Sequence, residues 1–381
     1  MTKSKNYLYV LATMFFCLLA TACHDNKADN TVDIENAIEK SVDIKADKLI
    51  KSVRPVALET SKESLLGKNT SILHIDSNNI LVYSDNNVKR FDINGKYICD
   101  IGVNGNGHGE HGTIMSFAYN KATDEVLMCG FDNKVYKYDT NGRFKGLIRL
   151  QTEPSETVRS IICTDDKGCW GIGSKYTDSG ISLRLCHFTE NGKLSLAAPI
   201  YNDEANVNVG RESFPLLWEY NGTENVKLEY DENIYTYNNA QEKKTYKLYL
   251  GDTAPSRKTV EDMECKSQLL KEKCQVLDIL ETDKYYFLTT MFRMKYHLMI
   301  ASKDLDEIIH NSTTDNPKHN GGIVYGALGN ILIWPTYCNG KYTASFLHVD
   351  NLTRESRNIL KEKYRIAVSK GDNPIILILQ L

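Results

Sequence analysis

The chain has 381 residues, of which 41% are hydrophobic and 25% charged, and its formal net charge at pH 7 is −3. An acidic balance without a block of lysine and arginine lacks the positive surface on which nucleic-acid binding depends, so we expect no nucleic-acid partner. Beyond the first 22 residues, no apolar run is long enough to cross a bilayer as a helix, which takes about 20 residues.

The N-terminus predicts export. Lys3 and Lys5 precede an apolar run from Tyr7 to Ala20, which is shorter than a membrane-spanning helix needs. A charged start, a short apolar middle and small residues at the end are typical of a secretory signal peptide, which we assign to residues 1–22.

The residues around Cys23 resemble the lipobox of bacterial lipoproteins. The segment reads Leu19-Ala20-Thr21-Ala22-Cys23, with alanine at a position where leucine is commoner. The resemblance implies cleavage before Cys23, a diacylglycerol on its sulfur, and a lipidated tether over residues 23–31. We therefore predict an exported protein that is lipid-anchored to the cell envelope, at the periplasmic or surface face of the outer membrane. The alternative is an ordinary signal peptide followed by a chance cysteine.

Eight further cysteines are scattered along the chain, at positions 99, 129, 163, 169, 186, 265, 274 and 338. None belongs to a C-x-x-C pair, which disfavours a zinc site. Cys163 and Cys169 flank a turn and could face each other across a hairpin, and disulfides are permitted outside the cytosol. Most of the others lie in strand-like runs, where we expect buried free thiols.

A repeat of 47 to 50 residues organises the chain. Residues 88–98 (VKRFDINGKYI) compare with residues 135–145 (VYKYDTNGRFK) and 185–194 (LCHFTENGKL), and their Asn-Gly pairs begin at positions 94, 141 and 191. Asn-Gly between alternating apolar runs predicts a β-hairpin with a type I′ turn, which requires positive φ at both central residues.

Six such hairpins can be followed along the chain, the last over residues 346–360 with 358–360 as its second strand. Two more short strands precede each hairpin. Four strands in a unit of about 45 residues describe a propeller blade. The predicted fold class is therefore all-β, a six-bladed β-propeller in a single domain over residues 32–381, with seven blades as the alternative. A two-domain sandwich would show no regular repeat.

Three segments fall outside the repeat. Residues 259–274 carry apolar side chains at near-helical spacing and predict one inserted amphipathic helix, packed on the rim or underside of the ring. Residues 53–59 and 375–381 are both strand-like, which predicts closure of the ring by pairing of the two ends in one blade. Residues 32–50 are expected to lead into the ring as a short strand or helix.

Several phrases occur in a recognisable order: VALET at 56–60, SLLG at 64–67, FDINGK at 91–96, a glycine-rich loop ending in Gly-Glu at 109–110, and DNP at 372–374. This order resembles the six-bladed β-propeller lipoproteins of Bacteroidota, which are related in fold to NHL and TolB-type propellers. The resemblance covers essentially the whole mature chain and is strongest from 53 to 150. The resemblance implies a propeller located in the envelope. It does not indicate the activity, because propellers host unrelated activities.

The loop from Gly102 to Gly112 contains the candidate ligand-binding residues His108, Glu110 and His111. In the family that it resembles, the loop usually reads Gly-x-Gly-Pro-Gly-Glu-Tyr, so His108 replaces the proline and His111 the aromatic residue. Two histidines and a glutamate within four positions could bind a metal or a sugar acid. We favour the other interpretation, a glycine-rich corner in which Glu110 caps backbone N–H groups between blades.

We assign no catalytic residue, no metal ligand and no cofactor, and we weigh three functions. The first is a binding module for a glycan, peptide or envelope protein at the propeller mouth, and it is the function we predict. The second is a propeller lyase or hydrolase with a His/Glu metal site, with Arg159, Arg184 or Arg211 as conceivable partners. The third is a structural subunit of an envelope complex. Trp170, Trp218 and Trp334 could line a sugar-stacking surface, although packing between blades is the simpler interpretation.

Overall fold

The computed structural model describes residues 30–40, 42–164, 168–177, 180–203, 215–228, 231–238, 241–256, 266–316 and 321–381. In these ranges six of the seven β-sheets are the blades of a six-bladed β-propeller, which confirms the predicted fold class and the count of six. The predicted signal peptide and Cys23 lie outside the described residues. No helix within the described ranges has the length and apolar character needed to cross a membrane.

The chain enters the ring through an N-terminal arm, residues 30–51 apart from residue 41. The arm contains strand β1 (Thr31–Asp33), helix α1 (Ile34–Ala37) and helix α2 (Ala46–Leu49), and it is followed by strand β2 (Ser52–Ala57). The predicted short strand or helix over residues 32–50 is thus observed as both.

Blades 1 to 3 each consist of four consecutive antiparallel strands. The strands of blade 1 are β3 (Thr70–Ile75), β4 (Asn79–Ser84), β5 (Asn87–Asp92) and β6 (Tyr97–Ile101). Those of blade 2 are β7 (Ile114–Asn120), β8 (Glu125–Gly130), β9 (Lys134–Asp139) and β10 (Phe144–Arg149). Those of blade 3 are β11 (Glu156–Thr164), β12 (Gly168–Thr177), β13 (Gly180–Phe188) and β14 (Leu194–Asp203).

Blades 4 and 5 follow the same order, and helix α3 (Lys266–Glu272) lies between them. The strands of blade 4 are β15 (Leu216–Tyr220), β16 (Thr223–Lys227), β17 (Asn233–Asn238) and β18 (Gln241–Tyr249). Those of blade 5 are β19 (Gln275–Glu281), β20 (Tyr285–Phe292), β21 (Lys295–Ser302) and β22 (Glu307–Thr314). Helix α3 packs on β20 and lies within the predicted range 259–274, of which residues 259–265 are outside the described residues.

Blade 6 is built from both ends of the chain. A two-stranded sheet of β23 (Ile323–Tyr325) and β24 (Ile331–Ile333) precedes β25 (Tyr337–Cys338), β26 (Thr343–Leu347), helix α4 (Arg354–Tyr364) and β27 (Ile375–Gln380). The sheet order is β2-β27-β26-β25, with Val56 opposite Ile376, so the predicted pairing of the two ends is confirmed. Pairing in this way leaves neither terminal strand with two free edges.

The predicted sixth hairpin is wrong. Residues 358–360 belong to α4 and form no strand, and the third strand of blade 6 is β27. The hydroxyl of Thr353 accepts a hydrogen bond from the Ser356 N–H at 3.1 Å and so begins the helix. Ser356 and Leu360, which follow each other at helical spacing, are buried.

The first strands of the blades, β3, β7, β11, β15, β19 and β25, adjoin one another in that order around the axis. The Tyr337 hydroxyl of blade 6 accepts from the Ile75 N–H of blade 1 at 3.0 Å and completes the circle. We call the end of the axis with the turns between first and second strands the turn face. The opposite end, where the chain passes from one blade to the next, is the crossover face.

Asn373 adds a second link between the ends of the chain. Its Oδ1 accepts from the Leu66 N–H at 2.8 Å, and its Nδ2 donates to the carbonyl oxygens of Glu59 and Ser64 at 2.7 and 2.9 Å. Three of the phrases that carry the family resemblance, at 56–60, 64–67 and 372–374, therefore meet at the junction that closes the ring.

The repeated Asn-Gly turns differ from the prediction of type I′ geometry. Gly95 has a φ of +91°, whereas Asn94 has no positive φ. The Asp92 carboxylate accepts from the N–H groups of Asn94 and Lys96 at 2.8 and 2.9 Å, and the Asp92 carbonyl accepts from the Gly95 N–H at 2.9 Å. The turn is thus a three-residue loop with one left-handed glycine.

The same glycine touches the preceding blade. A Cβ atom on Gly95 would overlap the carbonyl oxygen of Ala57, in the outer strand of blade 6. Gly142 and Gly192 repeat the arrangement against the outer strands of blades 1 and 2. The repeat therefore marks places where adjacent blades come together as well as hairpins.

Cys163 and Cys169 face each other across the β11–β12 hairpin with their Cα atoms 4.3 Å apart and form a disulfide. The other described cysteines are free. Cys129, Cys186 and Cys274 are buried as expected, while Cys99 and Cys338 are half-buried.

Candidate functional site

The glycine-rich loop that carries His108, Glu110 and His111 joins β6 to β7 on the crossover face. His108 is exposed and lies edge-on to Phe144, with 5.5 Å between ring centroids. Glu110 is half-buried, and its Oε2 accepts from the Gly107 N–H at 2.8 Å. This bond has the form expected for a capping glutamate.

His111 is fully buried under the loop. Its backbone binds Val103 and Gly105, with N–H to O distances of 2.9 Å in both cases, and its Nδ1 lies 2.9 Å from the Gly112 carbonyl oxygen. Its ring stands edge-on to Tyr138. In the structure, Glu110 is therefore bonded to its own loop, His108 is exposed to solvent and His111 is buried. Among the described side chains, no three of His, Cys, Asp or Glu lie close enough together to hold a metal ion.

The described arginine and tryptophan candidates from the sequence analysis have partners within the blades. Arg184 forms an ion pair with the buried carboxylate of Glu156, and Arg159 Nε donates to the Ser174 hydroxyl at 2.5 Å. Arg211 lies outside the described residues. Trp170 and Trp334 are buried.

A cavity of about 500 Å³ opens on the turn face, at the opposite end of the axis from the glycine-rich loop. We call it the radial groove, because it extends from Tyr220 and Cys338, at the ends of innermost strands, to Gln380 and Ser52 in the outer half of blade 6. Its sides are the turn between β19 and β20 and the turn between β25 and β26, so blades 4, 5 and 6 all contribute.

Three tyrosines line the radial groove: Tyr220, Tyr285 and Tyr342. Tyr220 is buried, and its hydroxyl donates to Asp283 at 2.6 Å. Burial, and next this hydrogen bond, raise the pKa of Tyr220. Tyr285 and Tyr342 are half-buried and leave part of each ring open to a ligand.

The carboxylates of this region are engaged. Asp283 also accepts from Asn221 Nδ2 at 3.4 Å. Behind the groove, Glu281 accepts from Trp218 Nε1 at 2.7 Å and from Lys303 Nζ at 2.6 Å. The Trp218 indole therefore contacts Glu281 behind the groove through a hydrogen bond.

Three cations line the radial groove and are exposed: Arg54, Lys284 and Lys341. None of them forms an ion pair with a described carboxylate. Lys341 lies over the Tyr342 ring at 5.4 Å from its centroid, and Arg54 Nη1 donates to the Ile93 carbonyl at 3.3 Å. Half-buried Cys338 lies at the inner end, and burial raises the pKa of its thiol.

Beside the inner end, side chains of several blades meet at the axis on the turn face. His74 of blade 1 stacks on Tyr119 of blade 2 with ring centroids 3.8 Å apart. Lys121 of blade 2 pairs with Glu219 of blade 4 at 3.5 Å, across the blade between them. These contacts join blades 1, 2 and 4 beside the inner end of the radial groove.

Burial lowers the pKa of His74 to about 4. Asp76, with its carboxylate 3.5 Å from Nε2, and Asp124 act in the opposite direction, and Lys121 reinforces the lowering. The Tyr337 hydroxyl lies 3.4 Å from Nδ1. His74 is therefore a neutral, packed histidine at neutral pH.

The sequence did not point to the radial groove. Its lining comes from five separate stretches of the chain, each of which reads as an ordinary turn or strand end. A sequence signal was present only in retrospect, in the turn Asn339–Tyr342, where a lysine directly precedes a tyrosine.

Comparison with solved structures supports the fold. A presumed exported protein of Bacteroides fragilis superimposes with a TM-score of 0.66 at 17% identity, covering 92% of this chain and 99% of that chain. A protein of unknown function from Bacteroides caccae gives a TM-score of 0.39 at 11% identity, covering 64% of this chain and 80% of that chain. At such identities the first likeness shows a shared fold and nothing of function. No curated protein matches the chain.

One sequence family matches nearly the whole chain. It carries the description "Domain of unknown function (DUF4934)", and the match extends over residues 29–380. That range includes the arm, all six blades and the strand that closes the ring. The chain is therefore a member of the DUF4934 family, with the fold of a six-bladed β-propeller.

Proposed function

We propose that this protein is a non-catalytic binding module of the bacterial cell envelope and that its ligand occupies the radial groove. The observation that carries the proposal is the groove itself, a cavity of about 500 Å³ lined by tyrosines and unpaired cations from three blades. Cavities of 300 to 1,000 Å³ with a few convergent polar groups are typical of ligand sites. The similarity in fold to a presumed exported protein of Bacteroides fragilis supports export of this protein.

The half-buried thiol of Cys338 provides the test, because a ligand in the radial groove covers it. We expect a bound ligand to slow alkylation of Cys338 at least tenfold, measured by peptide mass spectrometry, while alkylation of half-buried Cys99 in blade 1 is unchanged. Candidate glycans, peptides and envelope extracts are first ranked by thermal shift, since a ligand at 100 times its Kd stabilises by about 2.7 kcal/mol.

A control on the opposite face separates the two candidate sites. The double variant Tyr285→Ala/Tyr342→Ala is expected to abolish the shift, and His108→Ala on the crossover face is expected to retain it. Protection of Cys338 that persists in the tyrosine double variant, or a shift that disappears in His108→Ala, would refute the assignment to the groove.

We also propose that Cys23 carries the lipid anchor. The support is the lipobox-like sequence and a family match that begins at residue 29, shortly after it. Cells expressing the full chain should hold it in the membrane fraction, and a radiolabelled fatty acid should be incorporated. The variant Cys23→Ser should lose both, and label that remains on this variant would show that Cys23 is not the modified residue.

A further inference from the structure

The charges of the radial groove point to an anionic ligand. Arg54, Lys284 and Lys341 line it, against a single acidic side chain. That side chain, Asp283, already accepts hydrogen bonds from Tyr220 and Asn221. The terminal residue Leu381 also lines the groove, and its terminal oxygen accepts from Lys51 Nζ at 2.8 Å. Unpaired cations on one concave surface raise the local concentration of anions and orient them on arrival. A carboxylate-bearing ligand would find three positive side chains and no unengaged negative one.

The remaining lining suits a sugar. Tyr285 and Tyr342 offer partly open rings, against which the apolar C–H face of a pyranose can pack. Ser52, Thr343 and Gln380 add neutral polar side chains. Ser52 Oγ donates to Gln380 Oε1 at 3.1 Å and Thr343 Oγ1 donates to Cys338 Sγ at 3.4 Å. The two hydroxyl oxygens can still accept from sugar hydroxyl groups, and the Gln380 amide nitrogen can donate to them. The lining therefore offers aromatic rings for the sugar ring, neutral polar groups for its hydroxyls and cations for its carboxylate.

The adjoining strand is a poor template for an extended peptide. Peptides commonly bind by adding a strand to a free sheet edge. The outer strand of blade 6, β2, borders the radial groove but contains Pro55, which has no N–H to donate. The exposed Arg54 side chain beside it also donates to the Ile93 carbonyl of blade 1 at 3.3 Å.

We infer that the radial groove binds an oligosaccharide that carries carboxylate groups, with Lys284 and Lys341 contacting the carboxylates and Tyr285 and Tyr342 the sugar rings. This inference rests on the proposed function of the groove and names its ligand class. It assigns the anion site to the turn face, away from the His-Glu-His loop.

The test uses the mature chain and three probes of one length: tetragalacturonate, its methyl ester and tetraglutamate. The methyl ester keeps the rings and removes the charge, and tetraglutamate keeps the charge and removes the rings. We expect tetragalacturonate to bind, as measured by calorimetry at low salt, and each of the other two to bind at least tenfold more weakly. Lys284→Gln/Lys341→Gln should weaken tetragalacturonate binding about tenfold, because two ligand contacts are lost.

The control variant is Lys145→Gln, an exposed lysine on the outer strand of blade 2, which should bind tetragalacturonate as the wild type does. Equal binding of the methyl ester, equal binding of tetraglutamate, or an unaffected lysine double variant would overturn the inference. Cys338 alkylation distinguishes a wrong ligand class from a groove that is not a binding site. Protection by the ester or the peptide leaves the groove as a binding site of another specificity, whereas no protection by any probe or extract overturns the proposed function as well.

Discussion

Replacing Gly95 with alanine is expected to destabilise the folded protein by about 3 kcal/mol or more. Its φ of +91° lies in a region that costs a side-chain-bearing residue about 1–2 kcal/mol. The added methyl group would also overlap the carbonyl oxygen of Ala57, and backbone cannot move aside as a flexible side chain can. Because Ala57 lies in the strand that closes the ring, relief of the overlap must open the junction between blades 6 and 1.

The chain offers a control that separates these two effects. Gly371 has a φ of +86°, but a Cβ atom there meets no atom within 4 Å. We expect Gly371→Ala to cost about 1–2 kcal/mol, from the backbone alone. Urea unfolding of both variants measures the difference, and equal losses would show that the contact with blade 6 does not constrain Gly95.

The second large effect is a loss of stability in mild acid. His74 has a folded-state pKa of about 4, below the unfolded value of 6.5, so the unfolded chain binds its proton first as the pH falls. The stability that this histidine provides is complete above pH 6.5 and is lost between pH 6.5 and 4. At 1.36 kcal/mol for each pKa unit, the loss amounts to about 3 kcal/mol.

The variant His74→Phe checks this expectation, because it keeps a ring against Tyr119 and removes the titration. Its urea midpoint should fall less between pH 7 and 4.5 than that of the wild type. Burial also lowers the pKa of His297 and His310, so part of the wild-type loss should remain in the variant. An equal fall of the urea midpoint in His74→Phe and the wild type would contradict the assignment.

The blades could be predicted from the sequence wherever the signal was local. Asp92, Asn94 and Gly95 form their turn within five residues, and the copies at 141 and 191 repeat it, so the period was readable. The sixth hairpin could not be predicted in this way. In blade 6 a capped helix separates the second strand from the third, and the third pairs with a strand more than 300 residues away.

The groove could not be predicted at all, for a related reason. Tyr220, Lys284 and Lys341 are about 60 residues apart from one to the next, and only the circular arrangement of blades brings them to one cavity. The histidines of the glycine-rich loop were candidate ligands because they lie three positions apart in the sequence, yet the fold leaves His108 exposed and buries His111. The relation to NHL and TolB-type propellers stays a prediction.

The N-terminal arm is fastened to three blades in succession. Strand β1 pairs in parallel with β18 of blade 4, with Val32 opposite Leu248. Asn311 of blade 5 places its Nδ2 3.0 Å from the carbonyl oxygens of Ala37, Ile38 and Lys40. The arm then continues into β2 of blade 6.

This arrangement has a mechanical consequence. Tension applied at the N-terminus, where an envelope anchor would pull, reaches the ring first at blade 4 and not at the closing strand. The hydrogen bonds between β1 and β18, and then the attachments to blade 5, must fail before the load passes to β2. The arm therefore protects the ring closure from tension, because β2 and β27 bear the load only after the earlier attachments have broken.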